Sequence, residues 1–352
     1  PYFNILDFDF HLIPKLKTFY EEHLIPLFDR IVEFIKEPTW NNLLDIFGPK
    51  VKENVETFGK VLKNMPSVDL IYGIDIHNDH PGISIFSKCD VAPSCKDSNY
   101  ISWLEDYINL NQIDLFIPTS EPEIDFLSYK SINKISKADV LISNFFMVKT
   151  CLDKHKCLNF LRSSNIDVPE HGIVGQQAPS RFPVIIKPNK GAGSLNISKI
   201  NSVEEYNAVD TITSSELVWQ EYLYPDDQEY TCALFKTDSA SPKSIIIKRE
   251  LSHGFTSKGE IIEDDVIDEY IKKVAEIFKL DGVMNIQLRM TEQGPMLFEI
   301  NPRLSSTLVF RDILGFSDLQ WWVFSKLDKK IPEYHKPKTG TLFYRGIAEY
   351  II

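Results

Sequence analysis

The chain has 352 residues, 43% hydrophobic and 25% charged, which is ordinary globular composition and enough length for two or three domains. Its formal charge of -12 argues against broad binding to nucleic acid or to an anionic membrane, while a local basic pocket stays open. Five cysteines (Cys89, Cys95, Cys151, Cys157, Cys232) form no CxxC pair and are odd in number. They read as reduced thiols of a cytoplasmic protein, not as a disulfide framework or a zinc site. No run of about 18 apolar residues and no basic-then-apolar leader occurs, so neither a membrane span nor secretion is expected. The first residue is Pro1, as expected of a trimmed start.

Residues 1 to 65 read as a mostly helical extension, with apolar residues at helical spacing in "LKTFYEEHLIPLFDRIVEFIK" and "KENVETFGKVLKNM". Asp7 and Asp9 in "LDFDFHL" form a D-x-D, a spacing that suits a metal but equally suits plain strand alternation. No HExxH occurs, which removes the helical zinc-peptidase pattern. From 66 to 145 strands alternate with helices: "VDLIYGIDI", then helical "YISWLEDYINLNQ", then "IDLFIPTS" and "ADVLISN". That order predicts a parallel α/β sheet. "HNDHPG" follows the first strand, and its His77, Asp79 and His80 are either metal ligands or a polar turn.

A second unit is expected over 146–325. "KTCLDKHKCLNFLRSSN" reads as one helix, "FPVIIKPNKGAGSLNISKI" as two strands around a loop, "EEYNAV" as helix and "SELVWQEYL" as strand. "EYTCALFK" and "KSIIIKREL" read as a meander, "DEYIKKVAEIFKL" as helix, and "GVMNIQLRM" with "PMLFEINPR" as closing strands. Residues 326–352 are expected to add strands that complete the fold.

Three stretches carry chemistry. In "VIIKPNKGAGS" a strand ends on Lys187 and runs into Lys190, Gly191, Gly193 and Ser194, a donor-rich loop whose glycines let backbone N–H groups wrap an anion. It lacks the Lys-Ser/Thr of a Walker A loop, and a flexible hairpin reads equally well. In "VWQEYLYPDDQEY" a strand breaks at Pro225 between Glu221 and Glu229, where backbone groups can meet a purine edge and a carboxylate can meet ribose hydroxyls. In "NIQLRM" and "LFEINPR", Asn285, Gln287 and Arg289 share one strand face, and Glu299, Asn301 and Arg303 share another. Paired antiparallel, the two strands gather amides, a carboxylate and guanidinium groups, which suits a hard cation with phosphates and also a salt-bridged sheet surface.

Taken in order, the helical lysine, the strand-Lys-Gly loop, "QEYL…E" and "NIQ…FEINPR" resemble the ATP-grasp family, in particular the group related to the carbamoyl phosphate synthetase large subunit. The resemblance spans about residues 66 to 325, since "IYGIDIHNDHPG" and "IDLFIPTSEPE" are similar to that group's pre-ATP-grasp domain. It implies an α/β protein: a Rossmann-like pre-ATP-grasp sheet, then an α+β ATP-grasp domain, behind the helical extension. It further implies ATP between two subdomains. Lys154 and Lys187 would contact nucleotide and phosphates, with Gly191, Gly193 and Ser194 closing over them. Glu221 and Leu223 would hold the base and Glu229 the ribose. Gln287, Glu299 and Asn301 would hold Mg²⁺ (or Mn²⁺), with Arg303 beside the phosphoryl group. Two features depart from the pattern: "GPKVKENVETFGK" offers no opening strand with a Gly-rich turn, and Gln287 lies closer to Glu299 in sequence.

The activity so implied joins a small-molecule carboxylate to an amine through an acyl phosphate, with release of ADP. Phosphoryl transfer of this kind relies on positioning and electrostatics, so no catalytic Ser, Cys or His is nominated. Arg249, Arg289 and Arg303 are the catalytic candidates, and Arg249 with Arg311 could grip the acceptor carboxylate. A nucleotide-binding protein without chemistry is the alternative, as is a phosphotransferase or carboxylase on the same scaffold. Residues 1 to 65 are expected to pack on the first domain, on a second copy or on a partner subunit.

Overall fold

The computed structural model describes residues 52–77, 85–191, 197–209, 217–238, 240–252 and 254–346. Expectations placed on residues 1–51, on Asp79 and His80, and on Gly193 and Ser194 lie outside the described residues. The chain divides into two compact units, Pro1–Glu53 and Asn54–Ile352. Segments 66–145, 146–325 and 326–352 all fall in the second.

Helix α1 (Lys52–Lys63) leads into that unit and buries Phe58 and Val61, three residues apart on one face. Strands β1 (Tyr72–Asp75) and β2 (Lys88–Val91) pair in parallel. Helix α2 (Tyr100–Asn111) buries Tyr100, Leu104 and Ile108 at a four-residue spacing. After β3 (Leu115–Phe116) come α3 (Glu121–Lys130), β4 (Lys134–Ile135) and β5 (Ala138–Val140). Strand β5 pairs in parallel with β3 and antiparallel with β4. The single parallel sheet expected here is thus a two-stranded and a three-stranded sheet. Strands β2 and β4 were not legible, since "KCDV" and "KI" are too short and polar to show a period.

The helix expected over 149–165 is two helices, α4 (Phe145–Cys151) and α5 (Lys154–Ser163). Asp153 lies in extended backbone between them and accepts from the Lys156 N–H at 2.8 Å, an N-cap that places Lys154 first in α5.

Strands β6 (His171–Ile173), β7 (Val184–Pro188), β8 (Ser198–Ile200) and β9 (Leu217–Glu221), with helix α6 (Val203–Asn207) after β8, build an antiparallel sheet in the order β6-β9-β7-β8. Val184, Ile186 and Trp219 pack on one face with Val174 and Tyr206. Alternation sends Ile185, Lys187, Val218 and Gln220 to the other.

The larger sheet is antiparallel throughout. It comprises β10 (Glu229–Thr237), β11 (Ala240–Ser252), β12 (Phe255–Ile262), β13 (Gly282–Thr291), β14 (Gly294–Asn301) and β15 (Leu342–Tyr344), in the order β14-β13-β10-β11-β12-β15. Strand β12 had not been expected, because Ser, Lys, Gly and Glu interrupt its apolar pattern. Helix α7 (Asp265–Ile277) and α5 cover one face, where Ile267, Ile271 and Val274 meet Cys232, Leu234, Ile286 and Ile300. Helices α8 (Leu308–Ile313) and α9 (Asp318–Lys326), with α1, cover part of the other face, over Ala233, Phe235, Ile247 and Val283.

Candidate active site

That second face changes character along its length. Apolar at Ala233, Phe235, Ile245 and Val283, it becomes polar toward the start of β10, where Glu229, Thr231, Asn285, Gln287 and Arg249 lie. The polar end is closely bonded: Thr231 donates to Asn285 Oδ1 at 3.1 Å, and Arg249 Nη2 donates to Gln287 Oε1 at 2.9 Å.

In β14 the polar face depends on an irregularity. Asn285 lies opposite Asn301 and Gln287 opposite Glu299, but Leu288 lies opposite Leu297, so Phe298 is an extra residue. Strict alternation would place Leu297 and Glu299 on one face. The bulge lets Leu297 and Ile300 both enter the core while Glu299 and Asn301 face the polar end. Asn301 Nδ2 then lies 3.3 Å from Glu299 Oε1.

The bulge carbonyl is where the two sheets meet. Lys187 Nζ, from the smaller sheet, donates to Phe298 O at 3.2 Å, and Gln220 Nε2 donates to the same oxygen at 3.3 Å. Burial drives the Lys187 amine down to about 8; Glu299 pulls it back up, Lys154 pushes it further down and Glu229 opposes. Lys154 belongs to the same group, its Nζ donating to Gly191 O at 2.7 Å. Asn189, two residues past Lys187, clamps the start of α5: its backbone oxygen accepts from Lys154 N–H at 3.1 Å and its Oδ1 from His155 N–H at 3.0 Å. Gly191 has φ +98, a conformation that favours glycine.

At the other end of this polar face, Glu229 is bridged by two guanidinium groups. Arg249 donates to Oε1 through Nε and Nη2 at 3.0 and 2.8 Å, and Arg289 Nη2 donates to Oε2 at 2.7 Å. Arg289 Nη1 reaches the Leu223 carbonyl at 2.5 Å, so this residue braces the connection after β9. The N–H of Leu223 has no partner among the described residues, although the residue is buried. The Glu221 side chain turns to the face opposite Lys187, where it meets Arg181 at 2.8 Å and the Glu170 N–H at 3.1 Å.

Arg303 is held by Glu121 of α3, and Nη2 to Oε1 is 3.0 Å. Arg311 stands apart. It is 1% exposed, paired with Asp318 at 2.7 Å and bonded to Ser305 and Thr307, so it is packed inside the protein. Asn189, Gln220 and Glu121 were missed by sequence reasoning. Only Asn189, directly after "KP", offered a local signal, that of a polar residue in a turn. Glu123 was missed too: half-buried beside the Tyr100 hydroxyl, its carboxyl is pushed up to about 7 by the loss of water around it.

This architecture, two antiparallel sheets meeting at a row of lysine, carboxylate and amide groups, is consistent with an ATP-grasp-like fold. The family described as "ATP-grasp in the biosynthetic pathway with Ter operon" matches residues 213–345. The carbamoyl phosphate synthase large chain of Thermoanaerobacter pseudethanolicus is 22% identical over 227 residues, which covers 56% of this chain. The match spans a fifth (20%) of that relative's length. Among solved structures, N5-carboxyaminoimidazole ribonucleotide synthetase from Thermus thermophilus superposes with a TM-score of 0.65 at 10% identity, covering 81% of this chain and 78% of that one. L-amino acid ligase from Bacillus licheniformis gives 0.60 at 14% identity, covering 78% and 72%.

Proposed function

We propose that the chain is an ATP-dependent ligase that activates a small-molecule carboxylate as an acyl phosphate and joins it to an amine, releasing ADP and phosphate. The observation that carries this reading is the buried Lys187, which donates to the carbonyl of the β14 bulge and feels the charges of Glu299 and Lys154. Two solved structures that share the fold are named as a synthetase and a ligase.

In the first step a carboxylate oxygen attacks the γ-phosphorus and the bond to the bridging oxygen of ADP breaks. In the second an amine nitrogen attacks the acyl carbon, phosphate leaves, and the amine proton passes to solvent. Lys187 and Lys154 would offset phosphate charge, and Gly191, Gly193 and Ser194 would add loop donors. Leu223 N–H would meet the base, and Glu229, braced by its two arginines, would meet the ribose. Glu299 and Asn301 fit a hard cation such as Mg²⁺ or Mn²⁺, which takes one or two carboxylates together with substrate phosphates. Among the described residues no group of three or more His, Cys, Asp or Glu is placed to hold a metal ion. Gln287 would join it only by exchanging Arg249 for the cation. Such an ion, when bound, would draw charge from the phosphoryl oxygens as two anions approach.

Thermal unfolding with ATP, with and without Mg²⁺, tests the reading. A nucleotide at 100 times its Kd should stabilise the native state by about 2.7 kcal/mol. The Mg²⁺-dependent part should vanish in Glu299→Ala and Asn301→Ala. An unshifted midpoint at saturating nucleotide would remove the proposal; a shift justifies screening carboxylates and amines for ADP release.

A further inference from the structure

Arg303 is gripped along one edge. Its Nε and Nη2 both donate to a single oxygen, Oε1 of Glu121, at 3.3 and 3.0 Å, and its Nη1 donates to Leu304 O at 3.0 Å. A guanidinium carries five N–H donors, and among the described residues these three bonds leave two, one on each terminal nitrogen. The pair is well shielded, with the Arg303 and Glu121 side chains 16% and 17% exposed. Glu121 is itself anchored, as the first residue of α3, with Ser120 capping the helix and Pro122 in its first turn. The carboxylate and the arginine are 182 residues apart in the chain.

We infer that Glu121 is a positioning residue: it locks the Arg303 guanidinium so that the two open N–H donors meet the terminal phosphoryl group of the nucleotide, and it thereby ties α3 to the chemistry at the end of β14. The inference rests on the ATP-dependent reading above. Charge and position act in opposite directions here. As a negative charge, Glu121 disfavours a nearby phosphate; as a clamp, it favours the same phosphate by fixing its donor. Both bonds fall on Oε1, so glutamine can keep them while losing the charge, whereas alanine loses both.

Calorimetric titration of Mg·ATP and Mg·ADP into wild type, Glu121→Gln, Glu121→Ala, Arg303→Ala and the Glu121→Ala/Arg303→Ala double variant separates these effects. The ratio of ADP to ATP dissociation constants isolates the terminal phosphate. Glu121→Ala should lower that ratio about tenfold or more, the size of one charged hydrogen bond. Glu121→Gln should hold or raise it, and the double variant should fall no further than Arg303→Ala alone. The inference is overturned if Glu121→Ala leaves the ratio unchanged or raises it, if Gln and Ala lower it alike, or if the two single effects multiply in the double variant. Should Glu121→Ala not fold, a lowered ratio in Glu121→Gln overturns it by itself. A wild type that binds neither nucleotide overturns the ligase reading and this inference together. Nucleotide binding with Glu121 inert overturns only the latter.

Discussion

Lys187 carries two signatures in one buried amine. Its pKa, driven by burial from the ordinary 10.5 to about 8, means that the native state binds fewer protons than the unfolded chain between those values. Stability from this group therefore rises with pH across that window. A bound triphosphate favours the charged amine and pulls the pKa back up, so binding near pH 9 should take up as much as about one proton. Titrations in two buffers of different ionisation heat measure it. Lys187→Met should abolish the uptake and weaken nucleotide binding at least about tenfold, the size of a lost charged contact. Uptake that persists in that variant would assign the proton to another group. The residue types at this site were readable, because Lys, Glu, Asn and Gln stand out on apolar strands. Their partners were not: nothing local announces that Arg249 and Arg289 bridge Glu229, or that Arg311 turns inward to Asp318.

Among the elements, the α4–α5 break and the β14 bulge decide most. "KTCLDKHKCLNFLRSSN" keeps its apolar rhythm across the break, so it reads as one helix, yet Asp153 marks the interruption by capping α5. Asp153→Ala should cost about 0.5–2 kcal/mol in urea unfolding, the usual loss of such a cap, while Asp153→Ser should keep most of it. Nucleotide affinity should fall with it, since the cap also sets where Lys154 begins. Equal stability of the Ala variant and wild type would show that Asn189 alone holds the helix start. The bulge had no comparable marker, because an extra residue in one strand is visible only against the register of its partner.

For the molecule as a whole, the six-stranded sheet is closed at one side by three residues far along the chain. Gly259 faces Phe343 in the β12–β15 pairing, and a Cβ there would stand 2.2 Å from the Phe343 ring, so the glycine makes room for that ring. Truncation after Gly340 removes the strand and the ring together. It should lower the unfolding free energy by about 2–4 kcal/mol, near the scale of losing one large apolar side chain. Phe343→Ala should account for much of the loss, and no change in either variant would make β15 an ornament of the edge.

By itself the sequence determined the type of the long periodic elements and the chemistry gathered near β13 and β14. Both follow from backbone geometry that repeats every two or 3.6 residues and is legible within a short window. The tertiary structure alone decided which face each polar group takes at the bulge, the bridge of Lys187 and Gln220 onto one carbonyl, and the grip of Glu121 on Arg303. Those contacts join residues 78 to 182 positions apart, and they are set by packing and by the need of buried polar groups for partners, for which no local pattern exists.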